Sequence, residues 1–133
     1  MIDHRIGDAT EPVGDGAKII VHVCNDIGGW GRGFVLALSA RWPEPEQAYL
    51  RWHAGRGSND FELGAIQLVS VEDDIWVANL IGQHDIIAGS DGPPVRYDAI
   101  EAGLAGGEWN QIEAIIERTL GLRRISVTVY DLA

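Results

Sequence analysis

Cysteine is nearly absent from this sequence: Cys24 is the only one among 133 residues. One cysteine excludes an internal disulfide bond and a zinc site built from several cysteines. Cys24 ends an apolar run, and a lone thiol in that setting is typical of a protein in the reducing cytoplasm. Two interpretations of Cys24 stay open, a small core residue or a reactive thiol.

Basic residues are also scarce. Lys and Arg total 10 and Asp and Glu total 20, which gives a formal net charge of −10. Because a sequence-independent grip on a nucleic-acid backbone needs clustered Lys and Arg, we expect no direct binding of that kind. A small anion held by backbone N–H groups is not excluded. Hydrophobic residues make up 46% of the chain, which excludes a disordered acidic tail.

Long apolar runs are missing too. No window of 18 apolar residues is present, and the first ten residues lack the apolar core of a signal peptide. We therefore expect a cytoplasmic protein with no membrane partner. The length predicts one domain over residues 1–133. The four histidines do not have the spacing of metal ligands, so no metal site is predicted.

Short apolar runs alternate with amphipathic stretches along the chain. The run at residues 19–24, broken only by His22, predicts a strand that is buried on both faces of a sheet. Helices are predicted at residues 33–41 and 46–54. The prolines of Trp42-Pro43-Glu44-Pro45 end the first helix and start the second.

The second half of the chain continues the alternation. Residues 63–71 and 75–81 are β-rich and predict a hairpin or two neighbouring strands, and residues 125–132 predict a closing strand. A helix is predicted to begin at residue 95, and residues 108–120 carry apolar residues at helical spacing. Interleaved strands and helices predict an α/β fold with a layered sheet.

Glycine is the residue in excess, at 17 of 133, or about 13% against about 7% in average proteins. Four glycines, Gly28, Gly29, Gly31 and Gly33, lie between the first apolar run and the helix that follows. They allow a positive φ and close approach to a ligand, and the N–H groups of such a loop suit phosphate oxygens. The spacing matches neither a dinucleotide motif nor a P-loop. A phosphate loop and a purely structural turn both fit this pattern.

A second glycine-rich segment, Gly103-Leu104-Ala105-Gly106-Gly107, also precedes a predicted helix. Two such loops in one small domain suggest two walls around one anionic ligand. A connection between two helices is the alternative.

Several motifs together resemble the macro domain family, the ADP-ribose-binding fold, over nearly the whole chain. Gly7-Asp8-Ala9-Thr10 resembles the family's Gly-Asp-x-Thr signature, and residues 22–34 resemble its first ligand loop. Residues 103–109 resemble its second loop, and residues 127–130 its last strand. Residues 42–46 and 77–83 are similar to a bacterial subgroup, the ADP-ribosyl-glutamate hydrolases. The resemblance implies a three-layer α/β/α macro domain with a mixed, mostly parallel central sheet.

The resemblance also implies a ligand and its site. Asp8 would accept a hydrogen bond from the adenine amino group beside the backbone of Ala9; the alternative is a turn or cap residue. Tyr130 would stack near adenine or belong to the core. Asn25 and Asp26 would face the distal ribose hydroxyls. The first loop would line the distal ribose and the diphosphate, and the second would close over the diphosphate. The first loop comprises Gly29, Trp30, Gly31, Arg32, Gly33 and Phe34, and the second Gly103, Leu104, Ala105, Gly106 and Gly107. The expected partner is ADP-ribose or an ADP-ribosylated protein, with no cofactor.

Two positions depart from the resembled hydrolases, which use a lysine in the first loop and an acid in the second. Here the two positions are Arg32 and Ala105. Because arginine stays protonated, it cannot act as a nucleophilic amine. A substrate-assisted route stays open, in which a phosphate-held water attacks the anomeric carbon of the distal ribose and Asn25 or Asp26 orients that water. Four interpretations stay open: a hydrolase, a non-catalytic reader of ADP-ribose, a phosphatase acting on ADP-ribose 1″-phosphate, and a structural α/β partner domain with no ligand.

One further departure concerns the length. In the resembled family a full helix and a central strand precede the second loop, whereas here residue 102 leads straight into Gly103. The difference is roughly 20–25 residues. Deleting an inner strand would leave two neighbours with unpaired backbone groups. We therefore expect either that residues are missing from the sequence near Ala102–Gly103 or that the chain is a truly shortened or rearranged variant.

Overall fold

A computed structural model of the chain describes residues 2–31, 33–84, 113–114, 116–118 and 125–131. These residues include five strands and two helices. In chain order they are β1 (Ile2–Ile6), β2 (Lys18–Asn25), α1 (Phe34–Arg41), α2 (Glu44–Ala54), β3 (Ile66–Glu72), β4 (Ile75–Gln83) and β5 (Val127–Asp131).

The strands pair in a mixed arrangement. Strands β2 and β4 are parallel neighbours, and β3 pairs with the other edge of β4 in the antiparallel sense. Strands β1 and β5 form a separate parallel pair within the described part of the chain. The predicted α/β class with a mixed sheet is confirmed, and so are the β3–β4 hairpin and the closing strand β5.

Strand β1 is the element that sequence reasoning missed. Its sequence, Ile-Asp-His-Arg-Ile, is short and mostly polar, and four of its five residues are exposed. Its partner is β5, in a register that pairs Ile2 with Val127. The strand is therefore specified by pairing across more than 120 residues, which no local pattern reveals.

The core lies between the sheet and the two helices. One cluster joins Ile20 and Val77 of the sheet to Leu38 of α1, and a second joins Cys24 and Ile81 to α2 through the aromatic rings of Tyr49 and Trp52. Both clusters lie on the same face of the sheet, the face that carries Ile20 and Cys24 of β2 and Val77 and Ile81 of β4. These residues share a face because side chains alternate between the two faces along each strand.

The prediction that β2 is buried on both faces was correct for one face only. Ile19 and Val21 point to the opposite face and are 56% and 51% exposed. The helices α1 and α2 cover the face that carries Ile20 and Cys24. A continuous apolar run thus marks a strand with two apolar faces, but it does not show what covers each of them.

Helix boundaries follow the prolines closely. Helix α1 ends at Arg41, and Trp42 adopts an extended conformation, as the proline motif predicts. Helix α2 starts at Glu44, two residues earlier than predicted, because Pro45 is tolerated in a first turn. Of the predicted helix over residues 108–120, the described residues 113–114 and 116–118 are helical. The predicted helix from residue 95 lies outside the described residues.

Candidate functional site

The first glycine loop is built around the side chain of Asn25. Asn25 is the last residue of β2 and is almost fully buried. Its Oδ1 atom accepts hydrogen bonds from the backbone N–H of Ile27 at 3.1 Å and of Gly29 at 2.9 Å. Its Nδ2 atom donates to the carbonyl of Gly29 at 2.8 Å. One amide side chain therefore closes the loop on itself, as Asx turns do.

Helix α2 holds the same loop through Tyr49, a residue that sequence reasoning did not single out. The Tyr49 hydroxyl accepts a hydrogen bond from the N–H of Gly28 at 3.1 Å. It lies 2.8 Å from the carbonyl oxygen of Asn25 and 2.9 Å from its Oδ1, to either of which it donates its proton. The ring is completely buried. The only available signal in the sequence was a tyrosine on the apolar face of a helix, which is also typical of ordinary packing.

Gly28 is a position in the loop where any other residue would be strained. Its φ is +81°, in the left-handed region that side chains disfavour. A Cβ atom there would lie 2.5 Å from Nδ1 of His53, a residue of α2 whose ring packs against Phe61. The backbone conformation therefore favours glycine, and a Cβ atom at this position would also force the His53 ring to move.

The aromatic residues of the loop turn toward the core. Trp30 stacks edge-on to His22 and lies against Tyr49, with ring centroids 5.3 Å apart in both pairs. Its indole N–H donates to Oγ of Ser39 at 2.8 Å, and that hydroxyl donates to Glu46. Phe34 packs against the same core. Trp30 thus ties the loop to α1 and α2.

The loop ends at the amino terminus of α1. Gly33 precedes the helix with φ +78° and ψ −143°, and no side chain of the described residues caps the first turn. That turn, which begins at Phe34, also contains no acidic residue, whereas the first turn of α2 carries Glu44 and Glu46. Unsatisfied N–H groups at a helix start favour an anion.

The Gly-Asp-x-Thr motif forms its own turn. Oδ1 of Asp8 accepts from the backbone N–H of Thr10 at 2.8 Å and from its hydroxyl at 2.7 Å. These two hydrogen bonds lower the pKa of the Asp8 carboxyl, and Arg41 contributes in the same direction. Asp8 is therefore held as a carboxylate, an acceptor of hydrogen bonds, in a fixed turn. Ala9 is half-buried between the two residues.

Tyr130 lies beside this motif. Its ring is close to Gly7, where a Cβ atom would come within 3.8 Å of Cδ1. Its hydroxyl accepts a hydrogen bond from the N–H of Val13 at 3.2 Å. The structure thus brings Tyr130 of β5 next to the turn that contains Asp8, although the two lie more than 120 residues apart in sequence.

His22 and Cys24 are core residues. The ring of His22 is fully buried and bonds to Oδ1 of Asn79 at 2.5 Å, and burial lowers its pKa to about 4. Nδ2 of Asn79 donates to the carbonyl of Pro45 and to Gln67. Burial raises the pKa of the Cys24 thiol to about 12, so the thiol stays protonated. These surroundings support the core interpretation of Cys24, and His22 belongs to the core as well.

Asp26 and His84 meet at the carboxyl ends of β2 and β4. Nδ1 of His84 lies 2.7 Å from Oδ2 of Asp26. The side chain of His84 is 79% exposed and that of Asp26 is 18% exposed. The pair borders an open cavity of about 500 Å³, lined by Asp26, Arg56, Phe61, Glu62, Leu63 and His84.

Several predicted site residues lie outside the described part of the chain. These are Arg32 and the second glycine loop, Gly103, Leu104, Ala105, Gly106 and Gly107, together with the junction at Ala102–Gly103. The described site residues fall into two groups: Asn25, Gly29, Trp30, Gly31, Gly33 and Phe34 around the glycine loop, with Asp26 just beyond β2, and Asp8, Ala9 and Tyr130 around the motif turn. Among the described residues, no helix is long and apolar enough to cross a membrane.

Comparisons with solved structures identify the fold. A macrodomain protein from Streptomyces coelicolor is 49% identical, with 98% of this chain and 99% of that one covered and a TM-score of 0.82. A Bacteroides thetaiotaomicron protein of unknown function is 47% identical, with 99% and 98% covered and a TM-score of 0.86. The chain belongs to the macro domain family.

The comparisons with curated proteins and with family models give less support for the family than the solved structures do. The mouse chromodomain-helicase-DNA-binding protein 1-like is 27% identical over 165 aligned residues, which include 97% of this chain. The chain spans only 17% of the length of that relative. No model of a known protein family matches the chain.

Proposed function

We propose that this macro domain binds ADP-ribose across the carboxyl edge of its sheet. The observation that carries the proposal is the glycine loop, which Asn25 and Tyr49 hold in one shape. The loop leads into the start of α1, where no side chain of the described residues forms a cap. The N–H groups of residues 27–29 already donate within the loop. The N–H groups at the start of α1 are the ones that suit a diphosphate, and a preformed loop loses less conformational entropy on binding. This arrangement explains how a chain of net charge −10 can hold an anion.

The adenosine end is assigned to the motif turn. The carboxylate of Asp8 is fixed by Thr10 and would accept a hydrogen bond from the adenine amino group. Tyr130 lies beside Gly7 on the same turn, where its ring would pack against the base. The support is this proximity and the family resemblance of the motif.

We further propose that the domain hydrolyses an ester between the distal ribose and an acidic side chain. A water held by the diphosphate would attack the anomeric carbon through an oxocarbenium-like state. Asp26 lies at the end of β2 and would orient that water. The side chain of Asn25 is engaged with the loop itself, which favours a positioning role for it. A lysine-based covalent route has no support, because residue 32 is arginine.

The experiment that tests hydrolysis uses a protein with glutamate-linked ADP-ribose and measures released ADP-ribose. Release supports the enzyme, and binding without release supports the reader function, which Arg32 and Ala105 favour. Replacing Asn25 and Asp26 without loss of turnover would overturn the water-orienting role. A matched control is Asp73→Asn, in the β3–β4 turn at the opposite end of the strands.

The binding step has its own comparison. Asp8→Asn should weaken ADP-ribose binding, because the amide places a donor where the adenine amino group needs an acceptor. Asp73→Asn removes one negative charge as well but should leave binding unchanged. Equal affinities for both variants would contradict the assignment of the adenine site.

A further inference from the structure

We propose that His84 is the general base of this site and that Asp26 positions it. The inference rests on the proposed hydrolysis and assigns the proton transfer to a residue that has no role in it so far. It starts from the sheet register, in which Asn25 of β2 is paired with Gln83 of β4. Asp26 and His84 are the residues that directly follow these two strands. An acid and an imidazole therefore lie side by side where two parallel strands end.

The contact between these side chains fixes the tautomer of the ring. Nδ1 of His84 lies 2.7 Å from Oδ2 of Asp26. An ionised carboxylate only accepts hydrogen bonds, so Nδ1 must be the nitrogen that carries the proton. In the neutral ring Nε2 then carries the lone pair, which is the atom that accepts a proton from water.

The surroundings of the pair suit a reacting centre. Asp26 is largely buried, whereas His84 is exposed, so the acid is anchored and the imidazole reaches the open cavity of about 500 Å³. Ligands of parallel sheets bind beyond the carboxyl ends of the strands, and both residues lie there. Besides this pair the cavity is lined by one side chain of each charge, Arg56 and Glu62.

Nε2 of His84 takes one proton from water while the water oxygen forms a bond to the anomeric carbon of the distal ribose. The bond from that carbon to the ester oxygen breaks, and its electron pair leaves with the carboxylate of the acidic side chain. Free ADP-ribose and the restored carboxylate are released, and His84 returns its proton to solvent. No oxidant, metal or cofactor is required.

The test compares turnover and binding in matched variants. His84→Ala should lower release of ADP-ribose by about 100-fold or more, the usual range for a general base, while the affinity for ADP-ribose changes by less than about threefold. Asp26→Asn should lower turnover as well, and adding it to His84→Ala should cost little more, because the two residues act as a unit. The control is His4→Gln, an exposed histidine of β1 that pairs with Glu113.

A spectroscopic measurement separates positioning from packing. Nitrogen-15 NMR of the neutral ring should show the proton on Nδ1 of His84 in the wild type, and Asp26→Asn should shift it toward Nε2. Wild-type turnover in His84→Ala overturns the inference alone, as does an Nε2-protonated ring in the wild type. A wild-type protein that releases no ADP-ribose overturns the proposed hydrolysis itself and this inference with it.

Discussion

The hydroxyl of Tyr49 lies 2.8 Å from the carbonyl oxygen of Asn25, and through this contact helix α2 holds the end of strand β2. The same hydroxyl accepts a hydrogen bond from the N–H of Gly28. A side chain that is completely buried thus fixes both ends of the tight turn that opens the glycine loop. The shape of the proposed diphosphate site depends on a residue that does not itself face the ligand.

Removing this hydroxyl should damage stability and binding together. Tyr49→Phe leaves the N–H of Gly28 without the acceptor described here and removes the hydroxyl that donates to Asn25, which costs about 1–3 kcal/mol of unfolding free energy. The loop also becomes less ordered, so affinity for ADP-ribose should fall several-fold. Urea unfolding and calorimetry measure the two effects. Ser58→Ala removes an exposed hydroxyl as a control, and equal effects of both substitutions would contradict the role of Tyr49.

Gly28 offers a sharper comparison because Gly16 has the same φ, +81°. Gly16→Ala should cost only the strain of a left-handed residue, about 1–2 kcal/mol, since nothing lies within 4 Å of the added Cβ. Gly28→Ala should cost more, because its Cβ would collide with the His53 ring. The excess should shrink when His53 is also replaced by alanine. Identical costs at the two glycines would mean that the helix does not approach the loop as described.

His22 should make stability depend on pH. The pKa of the His22 ring is about 4 in the folded protein and 6.5 ordinarily. Between these two pH values the unfolded chain binds a proton at His22 and the folded chain does not. The contribution is fully present above pH 6.5 and is lost as the pH falls toward 4, by about 3 kcal/mol.

The measurement is the unfolding free energy of the wild type and of His22→Gln between pH 7 and 4. The variant should lose less stability over this interval. His4→Gln, which removes an exposed histidine, should follow the wild type. A His22→Gln profile parallel to that of the wild type would show that the buried ring takes up its proton without unfolding.

The turn at Asp8 should respond to Thr10. Thr10→Val keeps the volume of the buried side chain but removes the hydroxyl that donates to Asp8, so the pKa of the Asp8 carboxyl should rise toward its ordinary value. Thr10→Ser should restore the low pKa. NMR titration of the carboxyl carbon and the affinity for ADP-ribose should change together if this turn binds adenine, and unchanged affinity in Thr10→Val would argue that it does not.

The elements that depend on local chemistry could be predicted from the sequence, and those that depend on distant pairing could not. Prolines 43 and 45 mark the helix boundary to within two residues, and the β3–β4 hairpin follows from two β-rich runs around an acidic turn. Strand β1 could not be predicted because its partner, β5, lies at the other end of the chain. The role of Tyr49 and the contact of Asp26 with His84 could not be predicted for the same reason, because tertiary contacts bring these residues together.

The length of the chain remains a separate prediction. The described strands form two sheets, β1–β5 and β2–β4–β3, and the junction at Ala102–Gly103 lies outside the described residues. If residues are missing from the sequence there, the measured mass of the intact natural protein should exceed the mass of these 133 residues. The excess should correspond to roughly 20–25 residues. A mass equal to that of 133 residues would establish a shortened variant.

Calorimetric titration of the wild-type protein with free ADP-ribose tests the proposed function most directly. Binding through the glycine loop and the Asp8 turn predicts saturable heat with one site per chain, weakened by Asp8→Asn and by Tyr49→Phe but not by Asp73→Asn. No heat with protein and ligand at millimolar concentrations would contradict ADP-ribose binding, and with it every role assigned here to the loop.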